Sequence, residues 1–467
     1  MSLWRPRRNK KSDGMPKRAW RVIGGTGPPT APIGLRALRS GMDDLTAHAA
    51  LGLALRIGES MMAVGAPAAD VTATVLRVAA AYGLFSCHVD ITYTSITVSY
   101  DREGAVPLTA VRIVRSIRSD YTRLQGITDV ARAVAAGDVD VEEAHHRLDV
   151  VLSAPATYRR AVAALGWAGV AGCFGLVIGG GLWEALLAAL TTALIEQMLR
   201  LLSRFSLPPF FQQAAGAALA TGVAVLLVAL EVDVRSSLVV AAGIVVLLAG
   251  MSLVSAAQDA ISGFPVTAGA RAFELVTLTI GIVVGIAGVL DLAQRAHVPL
   301  AVVDTSASPV PFATALVASA GIAGFWAVVS HARPGGVGLA AAAGALSWTT
   351  FWAAGGLGAG PVLASGAAAV LLGFCGEVLT DRLQVPPQLI AVCGIVPLLP
   401  GLAIYDGLFA IVVDGDIDGG LGGLVGAGAI GLALAAGVTL GEYLGRPLHG
   451  GRDRYDKRVR RRFMTSD

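Results

Sequence analysis

Cys393–Phe409 reads CGIVPLLPGLAIYDGLF. It is apolar enough to cross a bilayer, yet Pro397, Pro400 and Gly401 fall in its middle, and Tyr405 and Asp406 follow at once. A proline removes a backbone donor and clashes with the preceding turn, so the hydrogen-bond ladder of a helix cannot run unbroken through this stretch. Carbonyls freed at membrane depth are tolerated only where protein or a water-filled cavity satisfies them.

The rest of the chain sets the frame for that break. Of 467 residues 54 % are hydrophobic, and 58 are glycine. The mean hydropathy is +0.66. Apolar runs long enough to span a hydrocarbon core recur from Ala161 onward, and none occurs before it. They fall at roughly 161–181, 183–202, 211–230, 237–257, 272–291, 311–330, 336–353, 358–378, 388–413 and 421–445. The expected fold is therefore a polytopic α-helical membrane protein of about ten transmembrane helices, preceded by a small α+β cytoplasmic domain. The expected boundaries are a disordered basic tail at 1–42, the α+β domain at 43–155, membrane halves at 156–300 and 301–446, and a basic cytoplasmic tail at 447–467. The N-terminal stretch lacks an apolar core and does not read as a signal peptide.

Displacing the chain by 151 residues sets AAGIVVLLAGM (241–251) on VCGIVPLLPGL (392–402) without a gap. Val246 and Ala249 become Pro397 and Pro400, and Gly222 falls on Gly373. The frame lays the fourth span on the ninth. A shift by five spans reverses orientation, so the halves read as two inverted five-helix repeats, a hallmark of secondary transporters. A helix broken at the midplane exposes a partial positive and a partial negative end, which suit the carboxylate and ammonium of an amino acid. Pro397, Pro400, Gly401, Tyr405 and Asp406 are the substrate-binding candidates. A proline kink that only shapes packing is the plain alternative.

Charges in and between the spans give orientation and coupling candidates. With the N-terminal domain inside, the inner loops hold Arg200, Arg204, Arg271, Arg333 and Arg382, and the basic tail is also inside. The outer loops hold Glu231, Asp233, Asp414, Asp416 and Asp418; only Arg235 and Arg295 run against the trend. Glu196, Glu377 and Asp406 are proton-coupling candidates, with interfacial snorkelling the alternative for the two glutamates. Glu442, beside the basic tail, reads as an ion-pair partner. The connection AAQDAISGFPVTAGARAFEL reads as a gate loop carrying Gln258, Asp259, Pro265 and Arg271, or else as a plain turn anchored by Arg271. The spacings Gly437–Gly441–Gly445 and Gly175–Gly179 favour close helix contact within one subunit.

The polar domain shows two helical segments, then a change of period. FSCHVDITYTSITVSYD reads as one or two strands, PLTAVRIVRSI as a further one, and two more helices follow. Asp70 lies in the first turn of the second helix, and Asp140 with Glu143 makes a capping box. His88 and Asp90 share a strand face, either as a relay or as a hydrogen-bonded surface pair. The cysteines Cys87, Cys173, Cys375 and Cys393 have no metal-site or disulfide spacing, and no phosphate-binding or hydrolase motif occurs. No cofactor, metal, nucleic-acid partner or enzymatic activity is expected.

The blocks GESMMAVGAPAADV (58–71), AAAYGLFSCHVDITYTSITVS (79–99), SAAQDAISGFPVTAGAR (255–271) and VPPQLIAVCGIVPLLPGLAIYDGLF (385–409) resemble the threonine/serine exporter family. They make Glu59, Asp70, His88 and Asp90 the candidates in the soluble domain. The resemblance implies a ten-span, proton-motive-force-driven exporter of small hydroxylated amino acids, in which the soluble domain is a standing part. The expected setting is the plasma membrane, with both termini cytoplasmic. Amino acid, protons and lipid are the expected partners, and a homo-oligomer is left open. The competing reading is a membrane-anchored binding or sensor protein whose soluble domain carries the function; an anchor, however, needs neither repeats nor a broken helix.

Overall fold

The computed structural model describes residues 44–102, 106–232, 235–245, 247, 250–297, 310–401, 403–404, 407, 410–411 and 415–446. Tyr405, Asp406, Asp233, Asp414 and both basic tails lie outside the described residues.

The α+β domain runs α1 (Asp44–Ala63), α2 (Ala68–Ala81), β1 (Cys87–Thr92), β2 (Ser95–Tyr100), β3 (Leu108–Ile113), α3 (Tyr121–Ala136) and α4 (Val141–Ser153). The strands form an antiparallel meander in the order β1-β2-β3. Ile91, Ile96 and Val98 are buried, and the alternate positions His88 and Asp90 are exposed. The helices end where the sequence provides for it. Gly83 and Gly137 take φ of 85° and 78°, the left-handed region a glycine enters without steric cost. Asp120 and Asp140 accept from the amides of Arg123 and Glu143 at 2.9 and 2.8 Å. Gly58 of α1 lies against α2 and β2; a Cβ there would stand 2.6 Å from Val75 and 2.7 Å from Ile96.

The membrane part runs α5 (Arg160–Val177), α6 (Leu182–Arg204), α7 (Pro209–Ala229), α8 (Ser236–Val245), α9 (Gly250–Ile261), α10 (Pro265–Arg295), α11 (Phe312–Val329), α12 (Pro334–Gly356), α13 (Pro361–Leu383), α14 (Pro387–Ile395) and α15 (Ile417–Gly445). Eight of these helices, α5, α6, α7, α10, α11, α12, α13 and α15, are long and apolar enough to cross a membrane. Their outward stripes, such as Leu186, Leu190 and Leu194 on α6 and Val276, Ile280 and Val284 on α10, are exposed. Such stripes suit lipid, which is as apolar as they are. Several turns between helices share one device. Ser206, Gly263, His331, Gly358 and Gln384 have positive φ, and a proline two or three residues later opens the next helix.

Two expectations are corrected. The fourth span, expected to be continuous over 237–257, is two helices, α8 and α9. The expected gate loop is mostly helix: Gln258 and Asp259 lie on α9, Pro265 opens α10, and Arg271 and Glu274 lie within α10. Only Ser262, Gly263 and Phe264 connect them. Small residues made the segment look loop-like, but alanine is the best helix former.

Helix packing in the first half recurs in the second. The pairs α5·α6, α6·α7, α6·α8, α7·α8, α7·α10 and α5·α8 have counterparts in α11·α12, α12·α13, α12·α14, α13·α14, α13·α15 and α11·α14. The glycine contacts repeat too. Gly285 of α10 lies on the Ala214 carbonyl of α7, and Gly437 of α15 on the Gly366 carbonyl of α13. Gly441 and Gly445 continue that seam onto Val370 and Glu377, so the double GxxxG spacing closes a contact within the subunit. A Cβ at Gly441 would overlap the Val370 carbonyl oxygen, and backbone cannot step aside as a side chain can. Gly441→Ala is therefore expected to cost about 1–3 kcal/mol by overpacking. A lowered melting temperature in detergent checks this, and an unchanged one would mean that the seam yields.

Candidate functional site: two interrupted helices beneath a docked domain

The quoted stretch is broken as its prolines require. α14 stops at Ile395, Val396–Leu398 form one 3-10 turn, and Leu399 is extended with φ −61° and ψ 135°. Pro397 offers no amide to the carbonyl one helical turn back, and neither does Pro400. The Leu399 amide turns back to the Val396 carbonyl at 3.2 Å, and Gly401 to the Leu399 carbonyl at 2.8 Å. Helical bonding resumes with the Ile404 amide on the Pro400 carbonyl at 3.0 Å. Pro397, Pro400 and Gly401 are all buried. In the self-alignment Val245 falls on Val396 and Gly250 on Gly401. Leu247, the described residue between α8 and α9, lies in a turn and falls on Leu398 of the second interruption, and the sequence there contains no proline.

The two interrupted helical segments share their surroundings. Val240 and Leu247 pack in one cluster with Ile404, Ile195, Ile282 and Ala427. Ile395 and Leu398 pack with Val254 of α9 and Leu434 of α15. Leu399 touches the clusters that hold Trp348 on one side and Trp326 on the other. Both indole N–H groups are buried and have no hydrogen-bond partner among the described residues; the same holds for the hydroxyls of Thr192, Ser319 and Ser347. Unmet donors of this kind are rare in a packed interior. Sequence reading missed them, because tryptophan and serine in a span look like ordinary filling until their neighbours are known.

The α+β domain is docked on one end of the bundle. The two-residue turn between β1 and β2 puts Tyr93 at φ 44°, a strained value for a tyrosine. Docking holds it there. The Tyr93 amide donates to Thr267 Oγ1 at 3.2 Å, Thr267 Oγ1 donates to the Ile91 carbonyl at 3.0 Å, and the Tyr93 hydroxyl donates to Glu274 at 2.6 Å. Burial and the Glu274 carboxylate push the Tyr93 phenol up to about 12, so it remains a donor. Elsewhere Tyr121 donates its amide to the Ser330 carbonyl at 2.9 Å, and Thr122 its hydroxyl to that of His331 at 2.6 Å. The Tyr121 hydroxyl pairs with Cys393 of α14. Gln388, also of α14, donates to Asp70 at 2.6 Å. The domain thus meets the α9–α10, α11–α12 and α13–α14 ends of the bundle. These are alternate connections, and Arg271, Arg333 and Arg382 belong to them.

Comparison with known proteins identifies the fold's lineage. A family model described as "Putative threonine/serine exporter" matches residues 52–293, and a second, "Threonine/Serine exporter", matches 312–444. The chain belongs to the threonine/serine exporter family. It is 38 % identical over 446 residues to a "Probable threonine/serine exporter" of Mycobacterium tuberculosis, covering 93 % of this chain and 83 % of that one. It is 36 % identical over 417 residues to a "Threonine/serine exporter" of Corynebacterium glutamicum, covering 87 % and 85 %. No solved structure matches.

The remaining candidates of this exporter-family chain separate by position. Glu196 bonds Arg200 at 2.9 Å within α6, and both are partly exposed. Glu377 is 9 % exposed and stands beside Gly445. The charges of Asp70, Glu377 and Arg446 all act on Glu442. Sequence reading had placed Glu442 with the basic tail only; the two carboxylates come from α2 and α13, distant in the chain. Asp259 is 2 % exposed and paired with Arg271 at 3.1 Å. Glu59 pairs with Arg112 at 3.4 Å on the domain surface. The two contrary arginines have local partners, Arg235 with Glu184 at 3.9 Å and Arg295 with Asp291 at 2.8 Å. Among the described residues no group of His, Cys, Asp and Glu forms a metal site.

Proposed function

We propose that this protein is a secondary transporter that exports threonine, serine or similar small amino acids across the plasma membrane, driven by proton antiport. The observation that carries the reading is the pair of interrupted spans meeting in one core. On this reading the eight long helices and the two interrupted ones make ten crossings in two inverted five-helix repeats. The recurring packing pairs support it, as does the gap between the two family matches, which falls between the fifth and sixth crossings. Alternate connections meeting one domain fit an even number of crossings with both termini cytoplasmic.

The amino acid binds between the broken ends. Its carboxylate takes backbone amides and the Trp326 and Trp348 indoles, while its ammonium takes carbonyls freed near Pro397 and Pro400, with Asp406 and Tyr405 close in sequence. Glu377, beside Glu442 and Asp70, is the preferred proton carrier. Like charges nearby favour proton uptake by one member of such a group, whereas the pairing of Glu196 with Arg200 favours its charged form.

The test is flux of labelled threonine and serine in proteoliposomes with an imposed proton gradient. Flux above that of protein-free vesicles, accelerated by the gradient, is expected; flux no higher than in protein-free vesicles would overturn the reading. Glu377→Gln is expected to abolish the response to the gradient, whereas Glu196→Gln should retain it. The opposite pattern would move coupling to α6.

A further inference from the structure

The start of α2 is an unusual helix end. Its cap residue, Pro67, has no side-chain acceptor, and within the helix start only the amides of Asp70 and Val71 reach the Pro67 carbonyl. The Ala68 amide, which the helix itself leaves without a partner, meets the carboxylate of Asp259 on α9. Arg271 of α10 neutralises that carboxylate from the other side. Two residues along, Asp70 accepts from Gln388 on α14. One turn of one helix is thus tied to the domain-side segments of both interrupted spans, α9 and α14. The hairpin turn on α10 and Tyr121 against Cys393 flank it. Beside it, Met62, Ala66, Ala68, Ile91, Tyr93, Ile117, Thr267 and Arg271 surround a cavity of about 10 Å³. That is room for a single water at most.

We propose that residues Pro67–Asp70 are the inner gate of the transport path, a wedge held between α9 and α14 that withdraws to admit solute from the domain side. The inference rests on the transporter reading above. The residues of the wedge are small, as a narrow entry requires, and its ties to α9 and α14 include polar ones. They can be exchanged for water when the domain shifts, unlike a large apolar seam. The soluble domain is then a moving part of the exporter, not a separate binding module.

Two measurements decide it. In a background with the four cysteines changed to Ser, Asp70→Cys/Gln388→Cys bridged by a short bis-methanethiosulfonate should lose at least nine-tenths of threonine flux and regain it on reduction. Bridged protein that exports at the unbridged rate would overturn the gate. The second readout needs no transport. Cys393 is fully buried behind Tyr121. With the other three cysteines changed to Ser, maleimide labelling of Cys393 should rise at least fivefold in Gln388→Ala and in Asp259→Ala. Unchanged labelling in both variants would also overturn the gate. If the wild-type protein moves no amino acid, the transport reading fails by itself, and the labelling alone decides whether the wedge opens.

Discussion

Pro397→Ala/Pro400→Ala should cut threonine flux at least tenfold without lowering the melting temperature. Alanine is favoured over proline in a helix interior by about 3 kcal/mol per residue, so the substitutions stabilise a continuous helix beyond α14. On the proposed transport reading, a continuous helix removes the backbone amides and carbonyls freed at the break, and with them the partial charges that would hold a zwitterion. Loss of substrate binding in a well-folded protein is the specific signature. Packing opposes the change: Leu399 is held extended between the clusters of Trp326 and Trp348. The tenfold figure needs only about 1.4 kcal/mol of the helical gain to survive that opposition. A double variant that binds and exports like the wild type would show that packing, not proline, holds the break; the first half has no proline at the matching positions.

That contrast marks how far the chain could be read from its residues. The second interruption was legible because proline acts locally. The first was visible only through the alignment that laid Val246 and Ala249 on Pro397 and Pro400, since neither Val nor Ala breaks a helix by itself. The domain's helices and meander followed from period, capping aspartates and glycines, all local signals. The turn after α9 was misread because Ala, Ser and Thr are common to loops and to tightly packed helices. What no local signal held was docking. Tyr93 looks like any strand residue until its left-handed turn is seen against Thr267 and Glu274, and Asp259 looks interfacial until the Ala68 amide meets it. His88 and Asp90 share a face as expected, but it is the exposed one. The carboxylates that crowd Glu442 come from α2 and α13, and long-range convergence of that kind has no signature in spacing.

Arg271→Ala should be the most destabilising single change at the docking surface. Asp259 is almost wholly buried, with a side chain 3 % exposed, while that of Arg271 is 19 % exposed. Removing the arginine leaves a carboxylate without its counter-charge, away from water. Breaking a buried pair in this way costs roughly 3–5 kcal/mol, and the partial exposure of the arginine argues for the lower end. The carboxylate has one relief, to take up a proton and become neutral. The reverse change, Asp259→Asn, should cost less. Asparagine keeps an acceptor for the Ala68 amide, and the freed guanidinium can extend toward water. The double variant Asp259→Asn/Arg271→Ala should then recover part of the loss, because no unpaired charge remains buried. A coupling of about 1–3 kcal/mol across this cycle is the expected result, read from thermal unfolding of the four proteins in detergent. Arg271→Ala that melts with the wild type would show that water, not Arg271, already solvates Asp259, and the α9–α10 side of the docked domain would be far looser than its hydrogen bonds imply.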